Sequence, residues 1–443
     1  MPGYRRAGQV RGRVGKGVLG LFTEPFASGD GDFHCEDVSA DAIAIAAGTP
    51  TFVYSAAAIR DRYRRLTEAL RNFPVRVHYS LKANANRAIL TLLRELGSGV
   101  DVVSGGELAR ALRAGFNGHD IVCGGVGKTA RELREALQAG VKLINIESLS
   151  ELELLDAVAR ELGTVAPVGI RVNPEVAVEN PHEYIATGSR GHKFGVPHGE
   201  ALDVARAAIG MPNVALVGLD MHVGSQLATL APYRDGLARL RELALQVRRA
   251  GASLKYLDIG GGLPVIYGAG DADPDLDGFA AIAGATVREL GVELIVEPGR
   301  FFVGASGVLL TRALYRKESG GKRYLIVDAG MNDLIRPSHY DAYHRIDAVH
   351  PTGARATVDV VGPVCETGDF LALDREMDDV DAGELVVVHG AGAYGYVMSS
   401  NYNARPRAAE VMVDGHRFAV VTARESYDDL MRLELEDPLW RDA

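Results

Sequence analysis

Tryptophan and cysteine are scarce in this chain, with one Trp and three Cys among 443 residues. Cys35, Cys123 and Cys365 are odd in number and lack metal-ligand spacing. That speaks against a disulfide framework and a structural metal site, and fits a reducing cytoplasm. Basic charge is also short: 48 Lys and Arg face 58 Asp and Glu, for a formal net charge of -10. A nucleic-acid footprint needs clustered cations on a basic domain, so no nucleic-acid partner is expected. Long hydrophobic runs are missing too. The locally basic opening MPGYRRAGQVRGRVGKG is followed only by Val18, Leu19, Gly20, Leu21 and Phe22, too short for a signal-peptide core or a membrane span. It reads as a frayed basic terminus rather than a transit peptide, and no low-complexity segment follows it.

What is present is a packed globular composition, 47% hydrophobic and 24% charged, on a chain long enough for two or three domains or one large barrel with an addition. From residue 51 to 300, short β-branched runs alternate with stretches of helical period. The runs are VHYSL, VDVV, DIVC, VKLINI, PVGIRV, VALVGLDMHV, LKYLDIG and VELIVE. Several helical stretches close on glycine, at Gly115, Gly140, Gly251 and Gly291. Eight strands with following helices predict a parallel (β/α)8 TIM barrel, with a helix at 56–72 filling the eighth outer position; a doubly wound open sheet is the alternative. Residues 174–198 form an unusually long connection, read as a cover because Tyr184, Phe194 and three prolines give it something to pack. After residue 300 the pattern changes to strands without regular helices, which predicts a C-terminal, mostly antiparallel β domain. The expected division is 1–50 as an N-terminal segment joining the β domain, 51–300 as the barrel and 301–443 as the β domain.

In such a barrel the C-terminal strand ends form the active site, and unusual residues collect there. Lys82 ends the first run within HYSLKANAN, His222 the sixth within HVGSQ, Gly260, Gly261 and Gly262 the seventh, and Glu297 the eighth within EPGR. A lone lysine there is more often a solvated strand end, a histidine a satisfied core group, a triple glycine a tight turn, and a glutamate half of a surface ion pair. Their convergence on one mouth is what points to chemistry. A lysine of depressed pKa is a nucleophile whose best-known use is a Schiff base with pyridoxal 5'-phosphate (PLP). The glycine run lets backbone N–H groups approach a phosphate, with the Ser225 hydroxyl and the Gly299 and Arg300 amides as helpers. Glu297 suits the pyridine nitrogen, and the flat His222 imidazole suits the ring face.

The ordered motifs YSLKAN at 79, DVVSGGEL at 101, NPHEYIATG and HKFG between 180 and 195, HVGSQ at 222, DIGGG at 258, EPGR at 297, VDAGMNDLIRP at 327, GPVCETGD at 362 and GAYGYVMSSNYNARPR at 392 cover nearly the whole chain. In them the sequence resembles the fold-type III PLP-dependent decarboxylases, and within these the diaminopimelate branch. The resemblance implies that Lys82 carries the cofactor, and that Cys365, supplied by the partner subunit of a homodimer with shared active sites, protonates Cα after carbon dioxide leaves. It implies that Arg300, Arg336 and Tyr340 hold the distal carboxylate of the substrate, that Glu366 meets the distal ammonium, and that Tyr394 lies by cofactor and substrate. The implied reaction is decarboxylation of meso-2,6-diaminopimelate at its D-centre to L-lysine and carbon dioxide, the last step of lysine biosynthesis by that route, in the cytoplasm and without membrane attachment. Thr367, where the family usually has serine, leaves the chemistry untouched; His192, where Asn or Ser is usual, bears on the contacts of the long loop.

Three other readings stay open on sequence. A racemase shares the barrel but has no use for CETGD. A same-family decarboxylase for a D-amino acid, ornithine, arginine or a secondary-metabolite precursor would differ only in the distal ligands, and an Arg and Tyr pair serves a distal cation poorly. A catalytically silent relative would tend to lose the lysine or the cysteine, and both are present.

Overall fold

Eight parallel strands close on themselves in the computed structural model, which describes residues 25–29, 32–176, 191–268, 271–438 and 440–441. They are Val75–Ser80, Gly99–Val102, Ile121–Cys123, Leu143–Ile146, Ala166–Asn173, Val214–Asp220, Tyr256–Asp258 and Glu293–Val296. Each pairs in parallel with the next, and the eighth pairs with the first through Leu294 opposite Val75. The (β/α)8 barrel expected from the alternating pattern is therefore the fold, and the open sheet is set aside.

Local chemistry explains the helices between the strands. Ser55, Ser104, Thr129, Ser148 and Asp275 each cap a helix by accepting a backbone N–H, and Thr129 forms a reciprocal capping box with Glu132. Gly140, Gly163 and Gly291 end their helices in the left-handed conformation that glycine adopts without steric cost. The helix Ala56–Leu70 packs against Leu276–Leu290 and Arg87–Glu95, which makes it the eighth outer helix although it precedes the first strand.

The second sheet is built around the 13-residue strand Gly307–Ser319. That strand pairs antiparallel with Lys322–Val327, Leu385–Val388 and Thr51–Ser55. Two pairings in this mostly antiparallel sheet are parallel: Lys322–Val327 with Arg355–Val361, and Thr51–Ser55 with Ala409–Asp414. A small hairpin, Phe26–Gly29 with Asp32–Cys35, buries Phe26, Phe33 and Cys35 in one cluster with Val53, Val308, Leu385 and Val411. Val18 to Phe22 and Tyr184 lie outside the described residues, as does most of the long connection; its end, Val196–Pro197, adds a short parallel pairing beside the fifth barrel strand. Within the second sheet, the strands Phe370–Asp378 and Ile346–Ala348 were not expected from the sequence.

The β domain is clasped to the barrel mouth beside Lys82. The Tyr394 amide donates to the Ala83 carbonyl at 2.8 Å, and Asn84 Nδ2 to the Gly392 carbonyl at 3.0 Å. Gly392 is required for this approach: a Cβ there would fall 1.9 Å from the Val303 carbonyl oxygen.

Candidate active site

A cavity of about 760 Å³ opens at the C-terminal ends of the barrel strands. Lys82, His222, Ser225, Gly261, Gly262, Glu297, Gly299, Arg300, Arg336, Tyr340 and Tyr394 all line it. The first strand ends at Ser80, and Lys82 sits in the single 3-10 turn Leu81–Ala83 that follows. Protein surrounds its stem, yet 42% of the side chain stays open to the cavity.

The glycine run forms one wall. A Cβ on Gly261 would lie 2.4 Å from the Glu297 carbonyl oxygen, and Gly262, at φ +106°, would bring one within 2.6 Å of the Gly224 carbonyl. Only bare backbone fits there. The amides of this run also serve the protein: Gly260 N–H donates to Asp258 Oδ1 at 3.0 Å, and Gly261 N–H to His222 Nδ1 at 3.2 Å. The second bond makes His222 Nδ1 an acceptor and fixes the plane of the imidazole. Burial, helped by Arg171 and Lys82, holds His222 well below its ordinary pKa, so the ring is neutral.

Beneath Lys82 lies a group of carboxylates that the sequence did not single out. Asp101, on the second strand, is 3.7 Å from Lys82 Nζ and accepts the Ser80 hydroxyl at 2.8 Å. Arg171 pairs with Glu147 at 3.0 Å and lies 3.9 Å from Asp220. Burial, reinforced by Asp101, Asp258 and Asp220, lifts Glu297 well above the usual carboxylate range, and burial raises Asp258 to about 7. Burial disfavours the Lys82 ammonium, but Asp101, Tyr394 and Glu297 outweigh it and raise its pKa. This differs from the depressed lysine expected from sequence, because that expectation could not see a carboxylate arriving from the neighbouring strand. Two cations, Lys82 and Arg171, thus face five carboxylates: Asp101, Glu147, Asp220, Asp258 and Glu297.

Arg336 and Tyr340, which also line the cavity, stand four residues apart on the short helix Arg336–Tyr340, and so share a face. Arg300 begins the helix that follows the eighth strand. Its Nη2 reaches Ser225 Oγ at 3.3 Å, its guanidinium lies 4.8 Å over the Tyr394 ring, and its buried Nε has no hydrogen-bond partner among the described residues.

Cys365 and Glu366 are not brought to this cavity. Both are exposed, in the loop between the strands Arg355–Val361 and Phe370–Asp378, where the Cys365 amide donates to Asn403 Oδ1 at 2.8 Å. Gly260 is set back behind its two neighbours.

The donor set fits PLP. The carboxylate surplus around Glu297 suits a protonated ring nitrogen, the side-chain-free wall at Gly261 and Gly262 and the unpaired Arg300 Nε suit anionic groups, and Lys82 projects between them. Residues 56–304 match the family model described as "Pyridoxal-dependent decarboxylase, pyridoxal binding domain", and the chain belongs to that family. Within it, the chain is 47% identical to the diaminopimelate decarboxylase of Pseudomonas fluorescens over 90% of this chain and 96% of that one. It is 43% identical to the diaminopimelate decarboxylase of Aquifex aeolicus over 92% and 96% of the two chains. The crystal structure of diaminopimelate decarboxylase from Helicobacter pylori complexed with L-lysine superposes with a TM-score of 0.86 at 37% identity, covering 89% of this chain and 98% of that chain. Among the described residues, no helix is long and apolar enough to cross a membrane.

Proposed function

We propose that this chain removes the carboxylate at the D-configured centre of meso-2,6-diaminopimelate, releasing L-lysine and carbon dioxide in the last step of lysine biosynthesis by the diaminopimelate route, in the cytoplasm. The observation that carries this reading is the pair Arg300 and Arg336, with Tyr340, lining the same cavity as Lys82 and Glu297. A substrate with one reacting carbon and a second carboxylate at its far end matches such a site. An amino acid whose far end is only an amine would meet two guanidiniums.

Bound PLP supplies the electron sink that decarboxylation needs. Lys82 Nζ would hold it covalently, and Glu297 would hold a proton on its ring nitrogen. His222, kept flat by the Gly261 amide, would support the ring face. The backbone of Gly260, Gly261, Gly262, Gly299 and Arg300, with the Ser225 hydroxyl, would surround the phosphate, and Tyr394 would flank it. Arg300, Arg336 and Tyr340 would fix the distal carboxylate, so the scissile carboxylate is the one left near Lys82. Asp101 keeps Lys82 charged until the cofactor engages it.

Two parts of the chemistry come from a second copy of the chain. Cys365 would deliver the Sγ proton that replaces the lost carboxylate at Cα, and Glu366 would receive the distal ammonium. Their exposure on a loop that does not line the cavity of their own chain supports a homodimer with shared active sites. The test is to offer the PLP-loaded protein meso-diaminopimelate, L-ornithine, L-arginine and D-lysine in parallel and to identify the amine products by mass. Lysine from the first alone is expected; turnover of ornithine or arginine instead would overturn the reading of the distal site.

A further inference from the structure

Tyr267 follows the glycine run and reaches into the cavity between two arginines from distant parts of the chain. Its hydroxyl accepts from Arg300 Nη1 at 2.9 Å. Its ring lies under both guanidiniums, 4.7 Å from that of Arg336 and 5.9 Å from that of Arg300. The tyrosine is itself gripped. The His344 ring meets it edge-on at 5.7 Å, and it passes so close over Gly390 that a Cβ there would lie 2.9 Å from the ring. His344 completes the frame: its Nδ1 is 2.8 Å from the His389 carbonyl, which can only accept, so Nε2 is free to accept from Arg336 Nη1 at 3.1 Å.

Two buried guanidiniums side by side repel each other. Burial pulls Arg336 below the ordinary arginine range, the phenol opposing this and Arg300 adding to it. A π face under both cations and a hydroxyl oxygen that accepts from Arg300 hold the pair in place against that repulsion. We propose that Tyr267 is a positioning residue that sets the Arg300 and Arg336 guanidiniums for the carboxylate at the unreactive end of the substrate, and thereby fixes selectivity for ligands that carry one. This rests on the reading of Arg300 and Arg336 given above.

The test uses the PLP-loaded dimer and two product-like inhibitors. L-Lysine retains the distal carboxylate, whereas 1,5-diaminopentane has both amines and no carboxylate. Tyr267→Phe keeps the ring and removes the oxygen that holds Arg300; Tyr267→Leu removes both; Arg336→Gln removes one cation. Tyr267→Phe is expected to weaken L-lysine and raise KM for meso-diaminopimelate by about tenfold, and Tyr267→Leu by about a hundredfold, with the change falling on KM rather than kcat. Inhibition by 1,5-diaminopentane should stay within about twofold of wild type, as loss of a carboxylate contact alone requires. If Arg336→Gln abolishes the preference for L-lysine while both Tyr267 variants keep it, the carboxylate clamp stands and the role of Tyr267 is refuted. Equal weakening of the two inhibitors by Tyr267→Phe would also refute it, in favour of general packing. If Arg336→Gln leaves the preference intact, the clamp reading fails and the inference with it. Tyr267→Phe, nearly isosteric, decides the matter should Tyr267→Leu fail to fold.

Discussion

Replacing Gly261 by alanine adds one methyl group to the cavity wall, and the structure sets what that methyl must meet. It would fall 2.4 Å from the Glu297 carbonyl oxygen and 3.3 Å from the carbonyl carbon, where real Cβ contacts essentially never come under 3.0 Å. The two strand ends must therefore part by at least 0.6 Å, the difference between that 3.0 Å limit and the 2.4 Å contact. Neither side yields easily. The Glu297 amide is bonded to the Gly260 carbonyl at 2.8 Å, and the Gly261 carbonyl accepts the buried Tyr233 hydroxyl at 2.7 Å. Overpacking of this kind costs about 1–3 kcal/mol. The displacement falls on Glu297 and on the amide that orients His222, so the cofactor should be lost before the fold. Gly261→Ala is expected to lower PLP affinity by roughly tenfold or more and the unfolding temperature by several degrees. Gly127→Ala is the control: Gly127 lines the same cavity, but among the described residues no atom outside its chain neighbours lies within 4 Å of its Cβ position. PLP titration followed by absorbance, with calorimetry of both variants, is the assay. Wild-type affinity and wild-type melting in Gly261→Ala would refute the account of this wall.

Shared sites predict complementation. Lys82→Ala and Cys365→Ala should each be inactive, and an equal mixture, unfolded and reassembled, should recover about a quarter of wild-type activity, because half the dimers then hold one intact site of two; no recovery would refute sharing. Burial raises Asp258 from an unfolded value of 3.8 to about 7, so its contribution to stability is full below the lower value and is lost as pH rises toward the upper. Asp258→Asn should flatten the loss of stability between those limits, with the unpaired Asn145 Oδ1 able to turn toward the new amide; an unchanged slope in denaturant titrations would show that Asp258 does not carry it. Cys35 and Cys123 are buried, with burial pushing the Cys123 thiol up to about 12, whereas Cys365 is exposed. Alkylation followed by mass spectrometry should label Cys365 first, and L-lysine should slow that labelling; early modification of Cys123 would contradict the placement.

The barrel was legible because most strands are short apolar, largely β-branched runs between stretches of helical period, and because Lys82, His222, Gly260 and Glu297 sit one or two positions past the strand ends. Lys82, His222, Glu297 and the glycines could be read there, since a strand's end is fixed by its own sequence. The strand Phe370–Asp378 was missed because it alternates poorly: FLALDREMD carries four charges, and its middle faces solvent. Asp101, Asp220 and Asp258 are single polar positions within strands, and only barrel closure turns them to one side. The raised pKa of Lys82 follows from that convergence. Tyr267 had no local signature at all. Its meaning comes from Arg300, Arg336 and His344, 33 to 77 residues further along the chain, and no spacing rule connects them.

The central claim is most directly tested by following one carbon. The holoenzyme would be given meso-diaminopimelate labelled with carbon-13 only in the carboxylate of the D-configured carbon, and the label traced by mass spectrometry. The orientation set by Arg300, Arg336 and Tyr340 predicts that all of it leaves as carbon dioxide and that the product is unlabelled L-lysine. Label retained in the lysine, or lysine of D configuration, would mean that the clamp holds the other end and would contradict the account.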